Sequence, residues 1–156
     1  MAGRFVFPVH NQQGELIGYA GRAIDDELAK TDGKYKTPFH KSRVLYNPHR
    51  VLKLETRVCI LVEGFFSTLK IHQAGFPNVV ASMGAKLYER QEDLLVENFG
   101  SVVIIGDGDK SGRDFVADTA PRLIRKMFVC TVDMPDGTQP DKLASEEIRE
   151  LLSDIT

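Results

Sequence analysis

Val102-Val-Ile-Ile-Gly-Asp-Gly-Asp-Lys-Ser-Gly112 and Cys59-Ile-Leu-Val-Glu-Gly64 follow one plan: a short β-branched run that stops abruptly in acid and glycine. Parallel strands covered on both faces read this way, because no polar alternation survives when neither face meets water. In open parallel sheets ligands bind at the carboxyl ends of the strands, which is where Glu63, Asp107 and Asp109 fall. If the two strands are neighbours, three carboxylates share one crevice. At roughly 5 Å and an effective dielectric of about 20, each pair repels by about 3 kcal/mol. Such a cluster stays ionised only beside a cation, and hard oxygen donors favour Mg²⁺ or its analogue Mn²⁺.

Working outward, residues 55–156 alternate strand and helix with short connections, the pattern of βαβ units. Strands are expected over Arg57–Val62, Asn78–Ser82, Ser101–Gly106 and Phe128–Met134. Helices are expected over Phe65–Ala74, Tyr88–Phe99, Gly112–Lys126 and Ser145–Ser153. Gly75 suits the position just past the first helix, Ser111 and Asp114 have capping-box spacing, and Pro121 should kink or shorten the third helix. Before residue 55, Arg4–Val9 and Leu16–Ala20 flank a glycine-containing loop of hairpin length, and residues 25–50 show no periodicity. The expected architecture is α/β: a four-stranded parallel sheet flanked by helices (55–156), preceded by an antiparallel β-hairpin and a basic segment (1–54).

The 156 residues carry a net charge of −2, with 42% hydrophobic and 27% charged side chains, ordinary for a globular protein. No apolar run reaches the ~20 residues of a membrane helix and no signal peptide is visible, so no membrane partner and a cytoplasmic location are expected. Cys59 and Cys130 lie in apolar runs and read as buried thiols, and the histidines lack metal-ligand spacing.

The loop from Asp107 to Asp118 also fits an EF-hand spacing, but that motif needs a helix where Val102–Ile105 is β-branched. A plain turn that caps a helix is the blander alternative. Beyond the fourth strand, Asp141, or less favourably Asp136, could widen the acidic cluster to hold a second metal. Between Lys34 and Arg50 the chain has Lys34, Lys36, Lys41, Arg43 and Arg50 with no acid, interleaved with Tyr35, Phe39 and Tyr46. Basic groups with rings suit a nucleic-acid or nucleotide surface, and Arg4 and Arg22 would extend it if the hairpin lies beside the sheet. The alternative is a solvated loop anchored by its aromatics.

Glu63-Gly64 followed by Asp107-Gly-Asp109 resembles the Toprim signature of DnaG-type primases, type IA and II topoisomerases, recombination mediators and some nucleases. The primase branch resembles far more of the chain: Arg4–Val9, Gly18–Arg22, Lys34-Tyr35, Phe39–Ser42 with Leu45–Asn47, Val62–Gly64, Ala81–Gly84, Asp107–Arg113, and Pro135–Gly137 with Pro140-Asp141 recur in order. The resemblance implies a DNA-directed RNA polymerase making short primers from ribonucleoside triphosphates on single-stranded DNA. Glu63, Asp107 and Asp109 would be its catalytic, metal-binding acids, with Asp141 a further ligand. Arg4, Arg22, Lys34, Lys41 and Arg43 would hold template or nucleotide. Arg113 and Asp114 would merely start a helix. Ser67 and Gln139 stand where the family usually has aspartate, which removes acids from the rim. An excised portion of a longer polymerase is expected in preference to a reduced relative, and contact with a replicative helicase would run through domains not in this chain. A Toprim nuclease or topoisomerase-like phosphotransferase and a non-catalytic binding module remain alternatives.

Overall fold

The structure, a computed structural model, describes residues 1–153 and 155. Its centre is a four-stranded, all-parallel sheet of β4 (Val58–Val62), β5 (Val79–Ala81), β6 (Ser101–Ile105) and β7 (Phe128–Val132), in the order β5-β4-β6-β7. Successive side chains of the two central strands serve opposite cores. Ile60, Val62, Val103 and Ile105 face one, while Cys59, Leu61, Val102 and Ile104 face the other. Burial on both faces is why these strands carry no polar residue past Ser101, the half-buried start of β6. Helices α3 (Phe65–Gln73), α4 (Glu89–Asn98), α5 (Lys110–Leu123) and α6 (Ser145–Leu152) supply the crossovers and cover. Gly75 adopts φ +109° just after α3, as its place in the sequence requires.

Three expectations need correction here. The cap of α5 is not Ser111 with Asp114 but Asp109, whose side chain accepts the Gly112 N–H at 2.8 Å; Asp114 pairs instead with Lys110 at 2.5 Å. The helix therefore begins earlier than expected, and it ends at Leu123, close behind Pro121 and short of Lys126. Cys130 is half-buried because β7 is an edge strand, whereas Cys59 is fully buried; both are free thiols.

The N-terminal part is a three-stranded antiparallel sheet, not a bare hairpin. β1 (Arg4–His10) pairs with β2 (Leu16–Ala23), which also pairs with the two-residue β3 (Tyr35–Lys36). Residues 25–50, unreadable by periodicity, hold α1 (Asp26–Asp32) and all but the last residue of α2 (Pro48–Val51). The boundary expected near residue 55 separates two sheets but not two cores. Phe7 of β1 stacks on Phe65 of α3 at 4.6 Å, and Tyr46 bridges to Ala81 of β5.

Arg4 holds the small sheet together. Its side chain is 1% exposed and donates to the backbone oxygens of Asp32 (2.9 Å), Gly33 (2.9 Å) and Gly21 (3.4 Å), and to the Asp32 carboxylate (3.0 Å). Replacing Arg4 by Met should cost about 2–3 kcal/mol in urea denaturation. The cost comes from carbonyls left without a donor, not from the exposed carboxylate. A change below about 0.5 kcal/mol would show that water satisfies those carbonyls equally well.

Candidate active site

Glu63 follows the last residue of β4 and Asp107 lies just beyond β6, its partner in the sheet. The Asp107 backbone N–H donates to Glu63 Oε1 at 3.0 Å, so the acids of two neighbouring strand ends meet as expected. Glu63 is 9% exposed. Burial raises its pKa, the Asp107 N–H opposes that rise, and the Asp109 charge adds to it. The Asp107 carboxyl is pushed up to about 7, first by burial and then by Glu63, Asp109 and Asp141, with Lys34 acting against them. Three carboxylates are therefore felt at one point.

Asp107 and Asp109 sit on a loop that folds tightly upon itself. A Cβ on Gly112 would collide with the Asp107 backbone, so only glycine lets α5 start this close to the end of β6. Asp109 is exposed, spends Oδ1 on the helix cap and does not line the cleft, although its charge is felt by Glu63 and Asp107. Asp141 enters from the turn Pro140–Lys142, and its Oδ1 is buried with no hydrogen-bond partner. Asp136, the alternative, points away and pairs with Arg113 at 2.9 Å.

Glu63, Asp107 and Asp141 open on a cleft of about 320 Å³ that Arg22, Lys34 and Lys41 also line. Arg22 is fixed by rings, its guanidinium 4.8 Å from the Phe66 centroid and 5.7 Å from that of Tyr35. Lys41 donates to the Met83 carbonyl at 3.2 Å. Arg4 and Arg43 do not reach the cleft: Arg4 is the buried tie described above, and Arg43 is exposed on the turn Lys41–Arg43. Of the interleaved aromatics, Tyr46 is buried in the core while Tyr35 lines the cleft. Ser67 and Gln139 also line it, so the two lost acids belong to this wall.

The donor set suits a hard divalent cation: carboxylate oxygens, one of them buried and unpartnered. Among the described residues no three His, Cys, Asp or Glu side chains already form a cation-holding group.

Gln91 was invisible to sequence reasoning, lying among the acids of a helix start. It is fully buried in α4, and its amide nitrogen reaches the carbonyls of Lys41 (3.0 Å), Val44 (2.9 Å) and Ser82 (2.8 Å). It thereby ties the basic segment to the loop after β5. Gln91→Met, similar in shape but lacking donors, should free residues 41–44 and speed their amide exchange about tenfold or more, while exchange in β4 and β6 stays unchanged. Uniform exchange across all these segments would remove this role.

Residues 60–144 match the Toprim-like family, and residues 1–52 match the N-terminal domain of the DNA primase catalytic core. The chain is 35% identical over 142 residues to the DNA primase of Staphylococcus epidermidis, a match that covers 88% of this chain and 24% of that protein. Among solved structures it superposes on the zinc-binding and RNA polymerase domains of Aquifex aeolicus primase with a TM-score of 0.85 at 31% identity, covering 97% of this chain and 40% of that one. It superposes on a DnaG primase catalytic domain bound to ssDNA with a TM-score of 0.79 at 26% identity, covering 97% and 51%. The chain thus spans about a quarter of the length of the primases it matches. Among the described residues no helix is long and apolar enough to cross a membrane.

Proposed function

The chain belongs to the Toprim-like family and, within it, to the catalytic core of bacterial DnaG-type DNA primases, and from that premise we propose that its cleft carries out metal-dependent nucleotidyl transfer, joining ribonucleoside triphosphates into short primers on single-stranded DNA. The observation that carries this reading is the bond from the Asp107 N–H to Glu63 Oε1. It ties the Glu63 carboxylate to the end of the adjacent parallel strand, beside Asp107, inside a cleft that also holds three basic side chains.

Acid and base divide the work. Glu63, Asp107, Asp141 and the free oxygen of Asp109 would hold Mg²⁺ or Mn²⁺, which when bound neutralises charge at the attacked phosphate and lowers the pKa of the attacking hydroxyl. Lys34 and Lys41 meet the remaining phosphate charge, and Arg22, held over Phe66 and Tyr35, supplies a planar fork suited to phosphate oxygens. The Asp107 backbone N–H orients the Glu63 carboxylate, which therefore needs little rearrangement when a substrate arrives. The single-stranded template follows from primase chemistry and from the ssDNA bound by the catalytic domain this chain superposes on.

Nucleotide binding measured with and without Mn²⁺ tests the reading. A ribonucleoside triphosphate should bind in millimolar Mn²⁺, lose its affinity in EDTA, and bind about tenfold more weakly to Lys41→Ala, the loss of one charge-assisted contact. Equal affinity in EDTA would discard the metal, and unchanged affinity in Lys41→Ala would discard the basic wall.

A further inference from the structure

The parallel sheet treats its two edges differently. At the β5 edge the basic segment folds over it: Tyr46 and Ala81 exchange backbone bonds at 2.9 and 3.3 Å, and the Asn47 side chain donates to the Val79 carbonyl at 2.9 Å. At the β7 edge no described residue does this. The Phe128 N–H donates to the Gly100 carbonyl, so in this parallel register Phe128, Cys130 and Val132 turn their backbone groups to β6. Val129 and Thr131 therefore turn theirs outward. The strand, Phe-Val-Cys-Thr-Val, has no charge, proline or bulge, the devices that keep an open edge from pairing. Phe128 in this strand is 74% exposed and Ile124 shortly before it 65%, the most exposed large apolar side chains among the described residues.

We infer that β7 is the docking edge for β7 of a second copy of this chain, run antiparallel about a two-fold axis at Cys130, so that the two parallel sheets join into one. The spacing is self-complementary. The outward residues flank Cys130 evenly, so Val129 of each copy faces Thr131 of the other, and each such pair exchanges both of its backbone bonds. A register centred on Val129 or Thr131 would match only one of the two outward residues within the strand. Charge selects the direction. Arg125 and Lys126 precede the strand and Asp133 follows it, so antiparallel pairing brings base to acid, whereas a parallel copy would set base against base. Phe128 falls opposite Val132 of the copy, in a close pair without backbone bonds, and its ring is covered. One strand a side is a small contact, so the dimer is reversible and depends on concentration. No residue of β7 lines the cleft, so both clefts stay open and the pairing is independent of what they bind.

Sedimentation velocity over about a hundredfold range of concentration, reaching the millimolar, should show a monomer–dimer equilibrium. Amide exchange at the two ends of that range reads the edge itself. The Val129 and Thr131 amides should slow about fivefold or more at the high end, while those of β4 stay unchanged. Thr131→Lys leaves an exposed position exposed but sets two ammonium groups diagonally across the axis. Thr131→Pro removes an outward N–H that the monomer does not use. Each should weaken dimerisation about tenfold or more and cancel the concentration dependence at Val129, with Mn²⁺-dependent nucleotide binding unchanged. Should Thr131→Pro fail to fold, Thr131→Lys reads the edge alone. A chain that stays monomeric at the highest concentration overturns the inference and leaves the edge to a strand of another protein. So does a dimer that Thr131→Lys keeps intact, since its interface would lie elsewhere, and so does slow exchange at Val129 and Thr131 that ignores concentration.

Discussion

Asp107→Asn is expected to raise the melting temperature at pH 8 and, in the same protein, to abolish the stabilisation that millimolar Mn²⁺ gives the unaltered chain. The first effect follows from linkage. The folded-state pKa of Asp107, about 7, lies above the value of an unfolded aspartate, chiefly through burial and then through Glu63, Asp109 and Asp141. A raised acid favours the protonated fold. Its cost is absent below the unfolded pKa near 4, accrues as pH rises from there to about 7, and stays constant above that. Asparagine removes the charge but keeps the shape, and the bond to Glu63 survives because it comes from the backbone N–H. Allowing for partial solvent exposure, relief of about 1–2 kcal/mol is expected, or roughly 3–8 °C. At pH 4 the two proteins should melt together. The second effect follows from donor chemistry: a cation that binds only the folded state stabilises it by mass action, and the amide is a poor substitute for the carboxylate. A variant that melts lower at pH 8 would deny the repulsion; one that keeps its full response to Mn²⁺ would remove Asp107 from the cation site.

The same carboxylates show what the sequence could disclose. β4 and β6 were legible because burial on both faces leaves a short apolar run rich in β-branched residues, and each stops abruptly in acid and glycine. The meeting of Glu63 and Asp107 was legible because both close such runs, and strand ends in a parallel sheet point the same way. The helices were legible to within a few residues. What escaped had no periodic signal to give. α1 buries no residue, so it leaves no apolar stripe, and β3 is two residues long. Arg4 reads as a surface cation because nothing local announces the carbonyls that fold back on it from residues 21, 32 and 33. Asp109 was placed in the site by its spacing, but a side chain two residues past the strand is as well placed to cap the following helix, and here it does so. Gln91 shows the same limit: a buried polar group is set by partners distant in sequence, which composition around it cannot reveal.

Gly108→Ala should be among the most damaging single changes in the site, although the residue carries no chemistry. Its N–H donates to the Thr138 carbonyl at 2.7 Å, and its carbonyl accepts the Gly137 N–H at 2.7 Å, so the loop after β6 and the loop after β7 are clasped backbone to backbone. A Cβ at 108 would collide with the Pro135 carbonyl and lie 2.8 Å from that of Thr138. Backbone cannot rotate aside as a side chain can, so the loops must separate. Asp107 is adjacent in one loop, and Asp141 follows closely in the other. Separation should therefore cost about 2–4 kcal/mol in stability and lower Mn²⁺-dependent nucleotide affinity by about tenfold or more. Gly137→Ala is the control. Gly137 has φ +75°, where alanine is strained by about 1–2 kcal/mol, yet nothing lies near its added carbon. That variant should lose some stability while nucleotide affinity falls much less, because Asp141 is not displaced. If the two variants melt alike and bind nucleotide alike, the clasp at Gly108 is not what brings the acids of β6 and the final turn into one cleft.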